Sequence, residues 1–183
     1  MTTIMNETLS GLMSGPRARG AFLLRSVLDP PWCMRIEDEA PLTLVSMIRG
    51  QAYITTADGA VHQLIPGEVA ILRGPDPYQI GDSPGTPVQV VILPGQQCQT
   101  LSGLRMSGID PQTRTWGGDK DGTAVMLSGT YQFQTEVGRR LLAALPTILV
   151  RQTAEEDGLL ISLLASEMKR TQTWPGVGLG PGP

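Results

Sequence analysis

The chain has 183 residues, 40 % of them hydrophobic and 17 % charged, a globular composition with room for one domain and a small appendage. Its 14 basic and 17 acidic residues leave a net charge of −3, and the only tight basic clusters are Arg17/Arg19 and Arg139/Arg140. That excludes the dense basic face with which a domain grips a phosphate backbone by itself.

No run approaches the roughly eighteen apolar residues of a membrane-spanning helix. The first twenty residues also lack the apolar core of a signal peptide, so a cytoplasmic protein without membrane contact is expected. With 22 Gly and 15 Pro, the sequence favours short strands joined by tight turns.

In chain order, residues 5–14 place Leu9, Leu12 and Met13 on one helical face. Strand-like segments follow at 21–28, ending in Asp29-Pro30-Pro31, and at 32–36, ending in the acidic corner Glu37-Asp38-Glu39. The longest strand signal runs from Leu42 to Thr56, with a bulge or bend expected at Arg49-Gly50. Asp58-Gly59 reads as a hairpin turn into 60–65, and Pro66-Gly67 as a turn launching Val69 to Leu72.

Gly74-Pro75-Asp76-Pro77 then forms a rigid corner that delivers Tyr78. A further strand is expected from Val88 to Leu93, and residues 94–122, with little periodicity, read as a long loop. A strand returns at 123–133. Helices are expected over 136–145, stopped by Pro146, and from Thr153, where Thr153-Ala154-Glu155-Glu156 has capping-box spacing. Leu160, Leu163, Leu164 and Met168 give the second helix an apolar stripe to bury against its own barrel or a second copy. The stretch 174–183 reads as a flexible tail.

Six pieces in this order resemble the cupin-type N-terminal sensor domain of AraC-family transcription regulators. They are residues 31–36, 47–53, 66–72, 74–78, 127–133 and 141–146, and the resemblance covers about 9–170. It implies a mainly β fold: a cupin-like antiparallel β-barrel (a jelly roll, or double-stranded β-helix) over 21–135. A short N-terminal arm or helix would occupy 1–20, C-terminal helices with a dimer contact 136–172, and a tail 173–183.

The general cupin metal pattern, laid over this chain, puts Gly67, Tyr78 and Asp82 where the family has glycine, histidine and asparagine. The other half of that pattern falls on Arg35 to Leu44, which contains no histidine. Glu37, Asp38 and Glu39 remain as oxygen donors, a poor set for iron, nickel or zinc. No metal and no other cofactor is therefore expected.

Other catalytic constellations are weak. The only histidine, His62, lies on a hairpin strand and reads as a solvated or hydrogen-bonded residue. Glu37 and Glu39 read as solvated surface, and Gly95 and Gly117-Gly118 lack the Lys-Ser/Thr ending of a phosphate loop. Cys33 and Cys98 are either two reduced thiols or the halves of a redox switch, which would need proximity and an activated thiolate.

The resemblance thus implies a non-enzymatic effector-binding and dimerisation domain that meets DNA only through a helix-turn-helix half absent from this chain. A small-molecule effector would sit in the barrel mouth, with Trp32, Met34, Met47, Tyr53, Tyr78, Val91 and Tyr131 as candidate walls. Strand alternation lets only part of that set point inward. The alternatives are a stand-alone cupin enzyme with an atypical metal site and a Cys33/Cys98 redox sensor.

Overall fold

The computed structural model describes residues 22–106, 109–110, 115–117, 122–131, 140, 142–154 and 157–158. The expected N-terminal helix at 5–14, most of both C-terminal helices and the tail lie outside these residues. Among the described residues no helix is long and apolar enough to cross a membrane.

The first half alternates short strands with turns. These are β1 (Phe22–Leu28), β2 (Cys33–Ile36), β3 (Leu42–Arg49), β4 (Ala52–Thr55), β5 (Val61–Leu64), β6 (Glu68–Arg73) and β7 (Tyr78–Gly81). The second half adds β8 (Val90–Leu93), β9 (Gln97–Thr100), β10 (Arg105–Met106), β11 (Ile109–Asp110), β12 (Thr115–Gly117), β13 (Ala124–Tyr131) and β14 (Ile148–Gln152).

They form two seven-stranded sheets, ordered β11-β12-β1-β13-β3-β6-β14 and β10-β9-β8-β2-β7-β4-β5. Pairing is antiparallel except where β12 joins β1 and β8 joins β2. The inner faces share one core, with Val45, Met47, Ala70, Leu72 and Met126 of the first sheet meeting Met34, Ile54, Leu64, Ile80 and Val90 of the second. This is the jelly-roll architecture that the sequence led us to expect, two sheets packed face to face.

Turn chemistry sets the register. Gly59 takes φ +86° in the Asp58-Gly59 hairpin, where Asp58 Oδ1 accepts from Thr56 Oγ1 at 2.6 Å and from the Ala60 amide at 3.2 Å. Gly67 takes φ +87° beyond Pro66, and the Glu68 amide donates to Ile65 O at 3.1 Å, closing a type II turn. The break expected at Arg49-Gly50 is present. The β3–β13 register shifts at Val125/Met126, and Gly50 turns the chain with φ +74°.

Three features depart from the sequence expectation. Tyr78 begins a four-residue strand paired with both β2 and β4, so it does not merely end a corner. Four strands, β9 to β12, lie within 94–122, which reads as loop in sequence. Finally, β14 pairs with β6 across five residues, so the first sheet extends to Gln152, past the boundary expected at 135.

Candidate functional site

A cavity of about 50 Å³ lies between the sheets. Alternation explains its lining, because Leu24 and Ser26 of β1, Thr43 and Val45 of β3, and Met126, Ser128 and Thr130 of β13 all face inward. The opposite wall is apolar, built from Met34, Ile36, Ile80 and Ile92, while Trp116 of β12 lines the cavity from the first sheet. One wall thus carries hydroxyls from Ser26, Thr43, Ser128 and Thr130 and faces a wall of branched aliphatic side chains and methionine.

At one end, past the close of β2, Asp38, Gln96, Tyr78 and Cys98 join the lining. The Asp38 carboxylate accepts from the Ala40 amide at 3.1 Å. Burial pushes its carboxyl above the ordinary carboxylate range, while hydrogen bonds from Ala40 and the Gln96 side chain pull the other way. Burial also raises the Tyr78 hydroxyl. The Asp38 charge adds to that rise, and a hydrogen bond with the Thr43 side chain opposes it. Tyr78 is accordingly a neutral phenol at any physiological pH.

Ser26 sits deeper. It is 1 % exposed, and its hydroxyl has no hydrogen-bond partner among the described residues. Among the described residues Asp38 is the only charged one lining the cavity, and that lining contains no Lys, Arg or His.

The model of the cupin family matches residues 7–176, nearly the whole chain. This chain is a cupin. No curated protein sequence matches it significantly.

Among solved structures it is similar to ToxT of Vibrio cholerae. An apo single-substitution variant gives a TM-score of 0.47 at 8 % identity, covering 87 % of this cupin and 51 % of that chain. A ToxT structure bound to (E)-4-(8-methylnaphthalen-1-yl)but-3-enoic acid gives 0.45 at 6 % identity, covering 82 % and 49 %. One bound to an unsaturated fatty acid gives 0.42 at 9 % identity, covering 86 % and 49 %. This cupin therefore spans about half the length of those chains.

The positions that hold metal ligands in the general cupin pattern do not fit a metal here. Tyr78 offers a neutral phenol. Asp82 Oδ1 is taken up by Thr86 Oγ1 at 2.7 Å and, at 3.4 Å, by the Trp32 amide. Glu37 pairs with Arg35 at 2.6 Å. Among the described residues no three His, Cys, Asp or Glu side chains come together as a donor set. No step through a metal is derived for this cupin.

Of the seven wall residues named from sequence, the structure brings Met34 and Tyr78 to the cavity. Trp32 and Met47 face the core but line no part of the cavity, and both are almost fully buried. Tyr53 and Val91 alternate with the inward residues of their strands and lie on the outer face of the second sheet. Tyr131 follows the inward Thr130 and lies on the outer face of the first sheet, beside Gly129.

The two thiols are also separated. Cys98 lines the cavity, whereas Cys33 precedes the inward Met34 and so points to the other face, beside Gly81. Strand β8 runs between their strands, so a disulfide would require the sheet to come apart. Burial raises both thiols, with the charge of Asp82 adding at Cys33, which is the opposite of an activated thiolate.

The sequence reading passed over Ser26, Thr43, Gln96, Ser128 and Trp116 as wall residues. Strict alternation along Leu24-Arg25-Ser26 and Met126-Leu127-Ser128 was the available signal for the two serines. Gln96 and Trp116 lay in the stretch read as loop, which offered no comparable signal.

Proposed function

We propose that this cupin is the effector-binding domain of an AraC-type transcription regulator, and that the cavity between the sheets is its effector site. The cavity carries this reading: a largely apolar volume inside the barrel with a few hydroxyls on one wall and Asp38 in its lining, the ordinary composition of a small-molecule site. The order of sequence pieces over 9–170 supports the regulator assignment. Met34 and Tyr78 are the proposed contacts that were already named from sequence, joined by Asp38, Ser26 and Ser128.

At about 50 Å³ the cup accepts only a small guest as it stands, well under the roughly 300 Å³ or more of drug-sized sites. Met34 and Met126 form part of its wall, and unbranched thioether side chains yield to an entering ligand at low cost. The protein holds its guest without transforming it. Asp38 stands without a catalytic partner, and the Cys98 thiol in the lining is kept protonated by burial. In this reading the chain dimerises through its C-terminal helix and acts on DNA through a unit outside this sequence. Effector binding biases the assembly only by its difference in affinity between two arrangements.

A thermal-shift screen over aromatic, sugar and lipid-like metabolites tests the site, with Ser128→Leu as a variant that fills the cavity. At least one compound should raise Tm with the logarithm of its excess over Kd, and Ser128→Leu should abolish the shift. A screen without any binder, or a shift that survives in Ser128→Leu, overturns the assignment.

A further inference from the structure

The charge pattern of the cavity narrows the class of guest, and this step rests on the effector-site reading above. Asp38 stands at one end of a largely apolar cavity whose lining, among the described residues, holds no basic side chain. Among the described residues its carboxylate forms no ion pair. Arg35 is itself paired with Glu37. The Ala40 amide, the Gln96 side chain and the backbone amide of Asp38 itself supply hydrogen bonds to its carboxylate but no positive charge.

A half-buried carboxylate facing an apolar space without a countercharge is poorly solvated, and the group that best restores its balance is a cation. A second observation points to a guest, though not to its charge. The Ser26 hydroxyl, 1 % exposed, lines the same cavity without a partner among the described residues and can accept or donate one further hydrogen bond.

We infer that the cavity selects a small organic amine, its ammonium group paired with Asp38 and its apolar body laid between the hydroxyl wall and Ile36, Ile80 and Ile92. A carboxylate guest is rejected, since it would place like charge beside Asp38 with nothing basic to offset it.

Isothermal titration of the whole chain with benzylamine, benzyl alcohol and benzoate, three probes of near-equal size, tests the inference. Benzylamine should bind about tenfold or more tightly than benzyl alcohol, the usual yield of a charge-assisted hydrogen bond. Benzoate should bind most weakly of the three. In Asp38→Asn the preference for amine over alcohol should collapse while alcohol binding persists.

Benzyl alcohol or benzoate binding as well as benzylamine overturns the inference and leaves the effector-site reading standing. If none of the three binds up to millimolar concentration, the amine inference falls. The metabolite screen then decides separately whether the cavity takes any guest. The ranking in the unsubstituted chain needs no variant to fold, so the test does not depend on Asp38→Asn.

Discussion

At the scale of single residues, the two polar groups that make the cavity interesting also weaken the fold. The Ser26 hydroxyl is buried without a partner among the described residues, and a desolvated, unpaired hydroxyl costs about 1–3 kcal/mol. Ser26→Ala should therefore raise the unfolding free energy by about 1 kcal/mol in urea melts, and a loss of stability would show the hydroxyl to be satisfied. Asp38 acts through its charge. Its carboxyl is raised in the folded chain, so the fold holds a proton at pH values where the unfolded chain has lost it. Its contribution consequently declines as pH climbs from about 4 through the raised value. Asp38→Asn should melt above the unsubstituted chain at pH 7, with the gap closing below about pH 4. Asp29 has the opposite sign. Bonds from the Thr123 hydroxyl and amide, at 2.6 and 2.8 Å, hold its carboxyl below the ordinary range. Asp29→Ala should thus be destabilising at neutral pH and progressively less so in acid, as protonation removes the same stabilisation from the unsubstituted chain. Identical pH profiles for the two variants would contradict both assignments.

Elements differed in how far the sequence revealed them. Strands β1 to β6, β8 and β13 announce themselves through β-branched or alternating residues bounded by Gly, Pro or Asp, and the turns between them carry their own chemistry. Strand β7 was hidden because Pro75-Asp76-Pro77 dominates its start and Gly81 its end, leaving only Tyr78-Gln79-Ile80 as signal. Strand β9, Gln97-Cys98-Gln99-Thr100, has little apolar content of its own and is held by pairing with β8, a contact that local sequence does not encode. Ile148-Leu149-Val150 in β14 is too short to tell strand from buried helix by periodicity alone. The same limit governed the site. Met34 and Tyr78 were legible as aromatic or flexible residues on strands, whereas Ser26 and Ser128 needed the alternation phase that only the paired structure fixes. The glycines offer a direct test of how tightly the elements are set. Gly59 and Gly50 both take positive φ, but an added Cβ meets open space at Gly59 and lies 2.8 Å from Thr123 O at Gly50. Gly59→Ala should cost about 1 kcal/mol, the left-handed strain alone. Gly50→Ala should cost about 3 kcal/mol, because the β3 exit must also move from the start of β13. Equal costs in denaturant melts would mean that the close approach at Gly50 is relaxed in solution.

For the molecule as a whole, the order of strands dictates which parts can open independently. In the first sheet β13 stands at the centre with β3 beside it, and in the second β2 stands at the centre with β7 beside it. Val45 and Met47 of β3, Met126 of β13, Met34 of β2 and Ile80 of β7 are at most 4 % exposed and belong to one core shared by both sheets. Freeing the amides of these four strands requires the sheets to separate, so their exchange should report global unfolding. Strands β5, β10 and β14 stand at sheet ends, and Val61 and Met106 on two of them are exposed, so these edges should open locally. Hydrogen exchange followed by mass spectrometry should therefore rank peptides from β3, β13, β2 and β7 as the slowest and those from β5 and β10 among the fastest. The cavity is bounded by all four of these strands, with Thr43 and Val45 on β3, Met126 and Ser128 on β13, Met34 and Ile36 on β2, and Tyr78 and Ile80 on β7. A bound effector at about 100 times its Kd should deepen protection of the globally exchanging amides by about 2.7 kcal/mol, while locally opening edge amides change little. Protection gained at β5 and β10 but not at β2, β3 and β7 would place the ligand on the outside of the barrel and remove the cavity from its role.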